Sequence, residues 1–144
     1  MNTSKHGVTG MALSSEEVQA FMDYLVDAIP VKGKVHKDGK EVTDTSIRDA
    51  DVYHIEQEAE NLYEILQKVA QMVNLYFKYD LTGIEKAQIL HYKAPSNGYS
   101  YHIDLDSSEK SISRKVSVTI VLNDGYEGGE ICFRTSETGS CQRP

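Results

Sequence analysis

Residues 114–133 read RKVSVTIVLNDGYEGGEICF, and they give the clearest β-type pattern in the chain. Over 116–123, apolar side chains alternate with small or polar ones, which is the period of a β-strand that packs one face and leaves the other free. An Asn-Asp-Gly sequence then supplies turn chemistry, and Gly128 and Gly129 allow backbone angles that a Cβ would forbid. The stretch therefore predicts a strand, a turn with a hairpin or bulge, and a further strand after the glycines.

Short β-type segments precede this stretch. Residues 84–93 and 99–105 are rich in β-branched or aromatic side chains, and the turn-forming sequence PSNG separates them at 95–98. We therefore predict a β core over about 84–134. An irregular tail is expected over 135–144.

The first half of the chain shows helical periodicity instead. Ser14 and Glu17 form a capping-box signature, and apolar residues then recur at helical spacing over 14–29. A second apolar stripe of helical period runs through 51–79. Helices first and strands afterwards predict an α+β fold, in which a helical layer over about 14–79 covers one face of an antiparallel sheet.

Residues 31–51 interrupt that helical layer. They contain four lysines and two glycines without sustained periodicity, so a mobile loop or loose hairpin is predicted. A phosphate-binding role for the lysines is disfavoured, because no Gly-rich cradle leads into a helix start.

Length and charge restrict the function. A chain of 144 residues and 16.1 kDa predicts a single domain over 1–144. Its 15 basic and 22 acidic residues give a formal charge of −7, which argues against nucleic-acid binding.

No apolar run approaches the roughly 18 residues of a membrane span, and residues 1–10 do not read as a secretory signal. We therefore expect a cytoplasmic protein in which Cys132 and Cys141 are reduced thiols, and a single bridge between them is the alternative.

His102 and Asp104 are the first candidates for chemistry. On an extended strand, residues i and i+2 point to the same side, so this imidazole and carboxylate are able to bind one metal ion. Such a donor pair suits a divalent metal, and two histidines with one carboxylate is the non-haem Fe(II) arrangement. By itself a His-x-Asp tripeptide is common, and an ordinary surface or core pair is the alternative reading.

The surrounding residues add to that signal. Tyr92 precedes the His-x-Asp segment, Arg114-x-x-Ser117 opens the alternating strand that ends in Leu-Asn-Asp, and Tyr-Glu-Gly-Gly-Glu follows at 126–130. Together these pieces resemble the prolyl 4-hydroxylase-like branch of the 2-oxoglutarate- and Fe(II)-dependent dioxygenases. The resemblance covers about residues 84–134 and implies N-terminal helices packed on a double-stranded β-helix, or jelly-roll, core.

The resemblance implies a function. It makes His102 and Asp104 two iron ligands and Tyr92 a hydrogen-bond donor to 2-oxoglutarate. The family couples decarboxylation of 2-oxoglutarate to succinate with hydroxylation of an unactivated C–H bond, here in a peptidyl prolyl or similar peptide or small-molecule substrate, with ascorbate as a reductant. For Tyr92, a half-buried strand tyrosine without such a role is an equally weighted alternative. Tyr99 and Tyr101, which flank the metal-binding segment, are expected mainly in the core.

The chain departs from the family pattern after Phe133. The family has a second metal-binding histidine downstream of the Gly-Gly-Glu strand and an Arg or Lys beyond it for 2-oxoglutarate, but residues 134–144 contain no histidine. Cys141 and Arg143 are conceivable replacements in a frayed tail. The other histidines all precede the motif and are not expected to substitute for it: His6, His36, His54 and His91.

The predicted strands are also too few to close both sheets of a jelly roll. We therefore expect a core that is incomplete at the C-terminus, with open sheet edges that favour homo-oligomers. A gene fragment and a non-catalytic jelly-roll binding module are the alternatives to an active enzyme.

Overall fold

The computed structural model describes residues 13–104, 113–134 and 139–142. Within them, the helices are α1 (Ser15–Asp27) and α2 (Glu60–Phe77). The strands, in chain order, are β1 (Val31–Lys32), β2 (Val35–Lys37), β3 (Lys40–Val42), β4 (Asp51–His54), β5 (Gln88–His91), β6 (Ile131–Arg134) and β7 (Gly139–Gln142). Neither helix has the length and apolar character needed to cross a bilayer.

Helix α1 begins where the capping signature predicts. The Ser14 N–H donates to Glu17 Oε2 at 2.8 Å, and the Glu17 N–H donates to Ser14 Oγ at 3.2 Å. This reciprocal pair satisfies two backbone donors at the start of the helix. The helix ends at Asp27, three residues before Pro30, so the prediction of a helix over 14–29 is confirmed apart from its last residues.

We expect Ser14→Ala to lower the free energy of unfolding by about 1 kcal/mol, because one N-terminal N–H of α1 loses its acceptor. Thermal unfolding followed by circular dichroism measures the loss. Ser15→Ala is the matched control, since Ser15 lies inside the helix. Equal losses in the two variants would contradict a capping role for Ser14.

The prediction of a second helix over 51–79 is wrong at its start. Residues 51–54 form strand β4, and α2 begins only at Glu60. Ile55 fits the helical stripe in phase, but it lies in the connection after β4, where its side chain is 1% exposed. Pairing of β4 with β5 gives this segment backbone partners that a helical reading does not consider.

The three-stranded sheet carries the core. Its order is β1-β4-β5, and both pairings are antiparallel. Helices α1 and α2 pack onto it through a cluster of buried residues: Phe21, Ile55, Leu62 and Ile89. The α+β class is therefore confirmed.

Residues 31–51 form more structure than a mobile loop. Strands β2 and β3 make a hairpin, and both residues of its turn, Asp38 and Gly39, have positive φ, as two-residue hairpin turns commonly require. Three lysines of the segment form exposed ion pairs: Lys32 with Asp51, Lys34 with Glu41 and Lys37 with Asp44. The hairpin alternative is confirmed, and three of the four lysines of the segment are paired with neighbouring carboxylates.

Two predicted strands are absent from the described residues. Residues 116–123 are not a strand, although Leu122 packs against the core. Residues 99–104 make only an isolated bridge, Arg48 with Tyr99, while Leu105 and the predicted turn at 106–112 lie outside the described residues. Alternating side chains define the faces of a strand but supply no backbone partner. In the described ranges the sheets have three, two and two strands, and none closes into a barrel.

The C-terminal hairpin agrees with the sequence in one strand and differs in the other. Strand β6 follows the glycine pair as predicted, whereas β7 falls in the expected irregular tail, of which 135–138 and 143–144 lie outside the described residues. Cys132 and Cys141 are direct partners in the register and form a disulfide, so the prediction of reduced thiols is wrong. Disulfides of this kind persist in oxidising compartments, and the cytoplasmic location stays a prediction.

Candidate functional site

The segment that carries His102 is tied to residues 47–49. The Asp49 N–H donates to Gly98 O, and the Ser100 N–H donates to Ile47 O, both at 2.8 Å. Asp49 Oδ2 accepts from the Asn97 N–H at 3.1 Å. These bonds fix the backbone up to Ser100, the point from which the candidate metal ligands project.

His102 and Asp104 lie together at the surface. His102 Nε2 is 3.3 Å from Asp104 Oδ1, and the two side chains are 40% and 52% exposed. The prediction that they share an extended strand is wrong, because residues 101–104 are not a strand. A bent segment nevertheless places both donor atoms next to one another.

The contact of the His102 Nδ1 atom indicates where the hydrogen atoms of the imidazole ring lie. Nδ1 lies 2.8 Å from Ser100 O. A carbonyl oxygen only accepts hydrogen bonds, so Nδ1 carries a hydrogen. Nε2 then faces the carboxylate with a lone pair in the neutral ring, where a cation between the two atoms would stabilise the contact, or with an N–H in the protonated ring. Histidines that bind metals commonly donate their other N–H to a backbone carbonyl in this way.

Two arginines that the sequence does not predict at the site contact its residues. Arg114 Nη1 donates to Asp104 O at 2.7 Å, and its guanidinium binds both oxygens of the Glu85 carboxylate at 2.7 and 2.9 Å. Arg48 lies with its Cζ 4.9 Å from the centre of the Tyr99 ring. The sequence predicts Arg114 only as the start of a strand, and no local sequence signal links Arg48 to Tyr99.

Tyr99 and Tyr101 differ in burial, and neither belongs to the buried core. Tyr101 is 62% exposed, and the Arg134 Cζ lies 5.9 Å from the centre of its ring. Tyr99 is partly buried and stacks on the His102 ring, with centroids 3.7 Å apart. The expectation of core roles for both tyrosines is therefore wrong.

Tyr92 lies directly after β5, outside the strand, and is 41% exposed, so it is not the half-buried strand tyrosine of the alternative interpretation. Burial raises the pKa of its hydroxyl, the nearby positive charge of Arg48 opposes this, and Tyr99 adds to the rise. The charges of Arg48 and Tyr99 thus both act on the Tyr92 hydroxyl.

The metal-ligand set is incomplete in the part of the chain that the structure describes. No group of three or more His, Cys, Asp or Glu side chains comes together there. Cys141 is not a thiolate ligand, because it is bonded to Cys132. The remaining histidines of the described ranges lie on separate strands: His36 on β2, His54 on β4 and His91 on β5. His6 and Arg143 lie outside the described residues.

A cleft of about 290 Å³ lies elsewhere, at the end of the three-stranded sheet. Its lining includes the ion pair Lys32–Asp51 together with His91 and Lys93. None of the predicted site residues lines it. The His102–Asp104 pair is thus a surface site rather than the floor of this cleft.

No protein-family model, curated protein or solved structure matches this chain. The chemistry of the site therefore rests on its own residues and on the resemblance carried by residues 84–134.

Proposed function

We propose that this chain is a 2-oxoglutarate- and Fe(II)-dependent dioxygenase-type protein of the prolyl 4-hydroxylase-like branch, with an incomplete jelly-roll core. His102 and Asp104 are two of its iron ligands. The observation that carries the proposal is the 3.3 Å approach of His102 Nε2 to Asp104 Oδ1, with Nδ1 committed to Ser100 O. That arrangement leaves a nitrogen lone pair and a carboxylate facing the same point.

The residues present fit two positions of an iron site and leave the third ligand unassigned. His102 and Asp104 would hold the ion, and Tyr92 would donate a hydrogen bond to 2-oxoglutarate. Fe(II), 2-oxoglutarate and O2, with ascorbate as reductant, supply the hydroxylating chemistry when bound. Two protein donors hold a divalent ion weakly, so we expect low activity of this chain or none, unless a further donor joins the site.

The positive charge of Arg48 acts on Tyr92, the residue that the resemblance assigns to 2-oxoglutarate. Its Nη1 donates to Lys34 O at 3.2 Å and its Nη2 to Gln88 Oε1 at 3.3 Å. Each Nη thus has one acceptor within the protein, and Nε is buried without a hydrogen-bond partner among the described residues, so Arg48 offers long-range attraction rather than the bidentate contact that binds carboxylates most strongly. This is a second reason to expect weak binding of 2-oxoglutarate.

The proposal extends to the partners. A peptide or small-molecule substrate fits the family chemistry, and the charge of −7 disfavours nucleic acid. Among the described residues, strands β1 and β5 are the edges of the three-stranded sheet. Unpaired strand edges of this kind favour pairing between copies of the chain.

Anaerobic titration of the purified chain with Fe(II) and 2-oxoglutarate tests the proposal. We expect a visible charge-transfer band from the chelated keto acid, with a midpoint at high Fe(II) concentration because only two protein donors are present. His36→Ala is the matched control and keeps the band, since His36 is an exposed residue of the β2–β3 hairpin. Absence of the band at millimolar Fe(II) would refute the proposal.

A second candidate is a non-catalytic binding module. The observation that favours it is the direct contact of His102 with Asp104, which a protonated imidazole makes as an ordinary ion pair without any metal. In that case the titration gives no band. A wild-type chain that behaves like its His102→Ala variant towards Fe(II) would establish this second reading.

A further inference from the structure

Tyr99 makes the closest ring contact of the candidate site. Its ring centroid lies 3.7 Å from that of His102, and the planes differ by 17°. We infer that Tyr99 is a positioning residue, which fixes the plane of the His102 imidazole so that Nε2 faces Asp104. This inference rests on the proposed function in one respect, namely that Nε2 is a metal donor.

Two contacts together define the orientation of the imidazole. Stacking on Tyr99 sets the plane of the ring, and the Nδ1 bond to Ser100 O sets its rotation within that plane. With both in place, Nε2 lies 3.3 Å from Asp104 Oδ1. A surface histidine without such contacts samples several rotamers and loses that freedom when it binds an ion. An imidazole that is already oriented before the ion arrives therefore binds that ion more strongly.

Tyr99 is in turn held by Arg48. The backbones of the two residues form an antiparallel bridge, and the Arg48 guanidinium makes a cation–π contact with the ring. The stem of Arg48 lies against Gly33, where an added Cβ would come within 2.9 Å of Arg48 Cδ. A continuous line of contacts therefore runs from Gly33 through Arg48 and Tyr99 to His102.

The test compares Tyr99→Leu, which removes the aromatic face, with Tyr99→Phe, which keeps it. In the metal-free protein, we expect the ring carbon–proton NMR signals of His102 to lie upfield in wild type and Tyr99→Phe, and to lose that displacement in Tyr99→Leu. We also expect the Fe(II) dissociation constant, measured anaerobically without 2-oxoglutarate, to rise about tenfold in Tyr99→Leu and to stay unchanged in Tyr99→Phe. Rescue by phenylalanine separates stacking from any role of the hydroxyl.

Two further variants complete the experiment: one is a control, and the other tests the support of Tyr99 by Arg48. Tyr101→Leu is the matched control, because Tyr101 is 62% exposed, and we expect it to leave both the His102 signals and Fe(II) binding unchanged. Arg48→Lys keeps the charge but removes the planar guanidinium, and we expect a smaller change of the same sign as in Tyr99→Leu. It preserves the test if Tyr99→Leu fails to fold, as judged by helical circular dichroism.

The outcomes distinguish the two proposals. Unchanged His102 signals in Tyr99→Leu would overturn the positioning role, and so would displaced signals with unchanged Fe(II) affinity. Upfield His102 signals in a wild-type chain that binds no Fe(II) would overturn the proposed function while leaving the stacking geometry intact.

Discussion

Leu62→Ala is expected to lower the free energy of unfolding by roughly 3–4 kcal/mol. Leu62 is 1% exposed and lies on α2 in the cluster that joins both helices to the sheet. Truncation removes apolar contacts and leaves a cavity that the neighbouring side chains fill only partly. Since small domains are stable by only about 5–15 kcal/mol, this one change removes a large share of the total.

Urea unfolding at 25 °C measures the effect as a shift of the midpoint at constant slope. Leu75→Ala is the matched control, since Leu75 lies on the same helix but is 77% exposed. We expect it to change the free energy of unfolding by no more than about 0.5 kcal/mol. A loss in Leu62→Ala as small as that of the control would show that the cluster of Phe21, Ile55, Leu62 and Ile89 is not the core of the protein in solution.

Local features of the fold were predictable from the sequence. The capping box of Ser14 and Glu17 depends on residues three positions apart, so the start of α1 follows from the chain itself. The strand after Gly128 and Gly129 was predictable because it directly follows this turn-forming pair in the sequence. The helix prediction over 51–79 includes Ile55 because its spacing to Leu62 suits a helix, whereas the pairing of β4 with β5 is a contact between distant residues.

The site was predictable in part. A His-x-Asp tripeptide brings its own two side chains close in several backbone conformations, so their contact survives the wrong strand assignment. The supports of the pair come from distant residues, Arg48 beneath Tyr99 and Arg114 with Glu85, and no spacing rule connects them. Cys132 and Cys141 illustrate the same limit, since only the β6–β7 register places them opposite each other.

Replacing either member of the His102–Asp104 pair is expected to weaken Fe(II) binding by about 100-fold or more. Loss of an outer-shell partner of a metal ligand typically costs about 10–100-fold, and these residues would contact the ion directly. His102→Ala and Asp104→Ala each leave a single protein donor. We therefore expect each variant to bind as weakly as the double variant, because one remaining ligand adds little to a hydrated ion.

Unfolding measurements distinguish a loss of Fe(II) binding from a loss of the folded state in these variants. Both side chains are substantially exposed, and surface ion pairs contribute only about 0–1 kcal/mol, so the unfolding midpoints of the variants should stay close to wild type. Asp124→Ala serves as the carboxylate control and keeps wild-type affinity. Independent, additive losses in the two single variants would indicate two unrelated weak sites, and equal Fe(II) affinity in all variants would leave His102 and Asp104 as an ion pair without a metal.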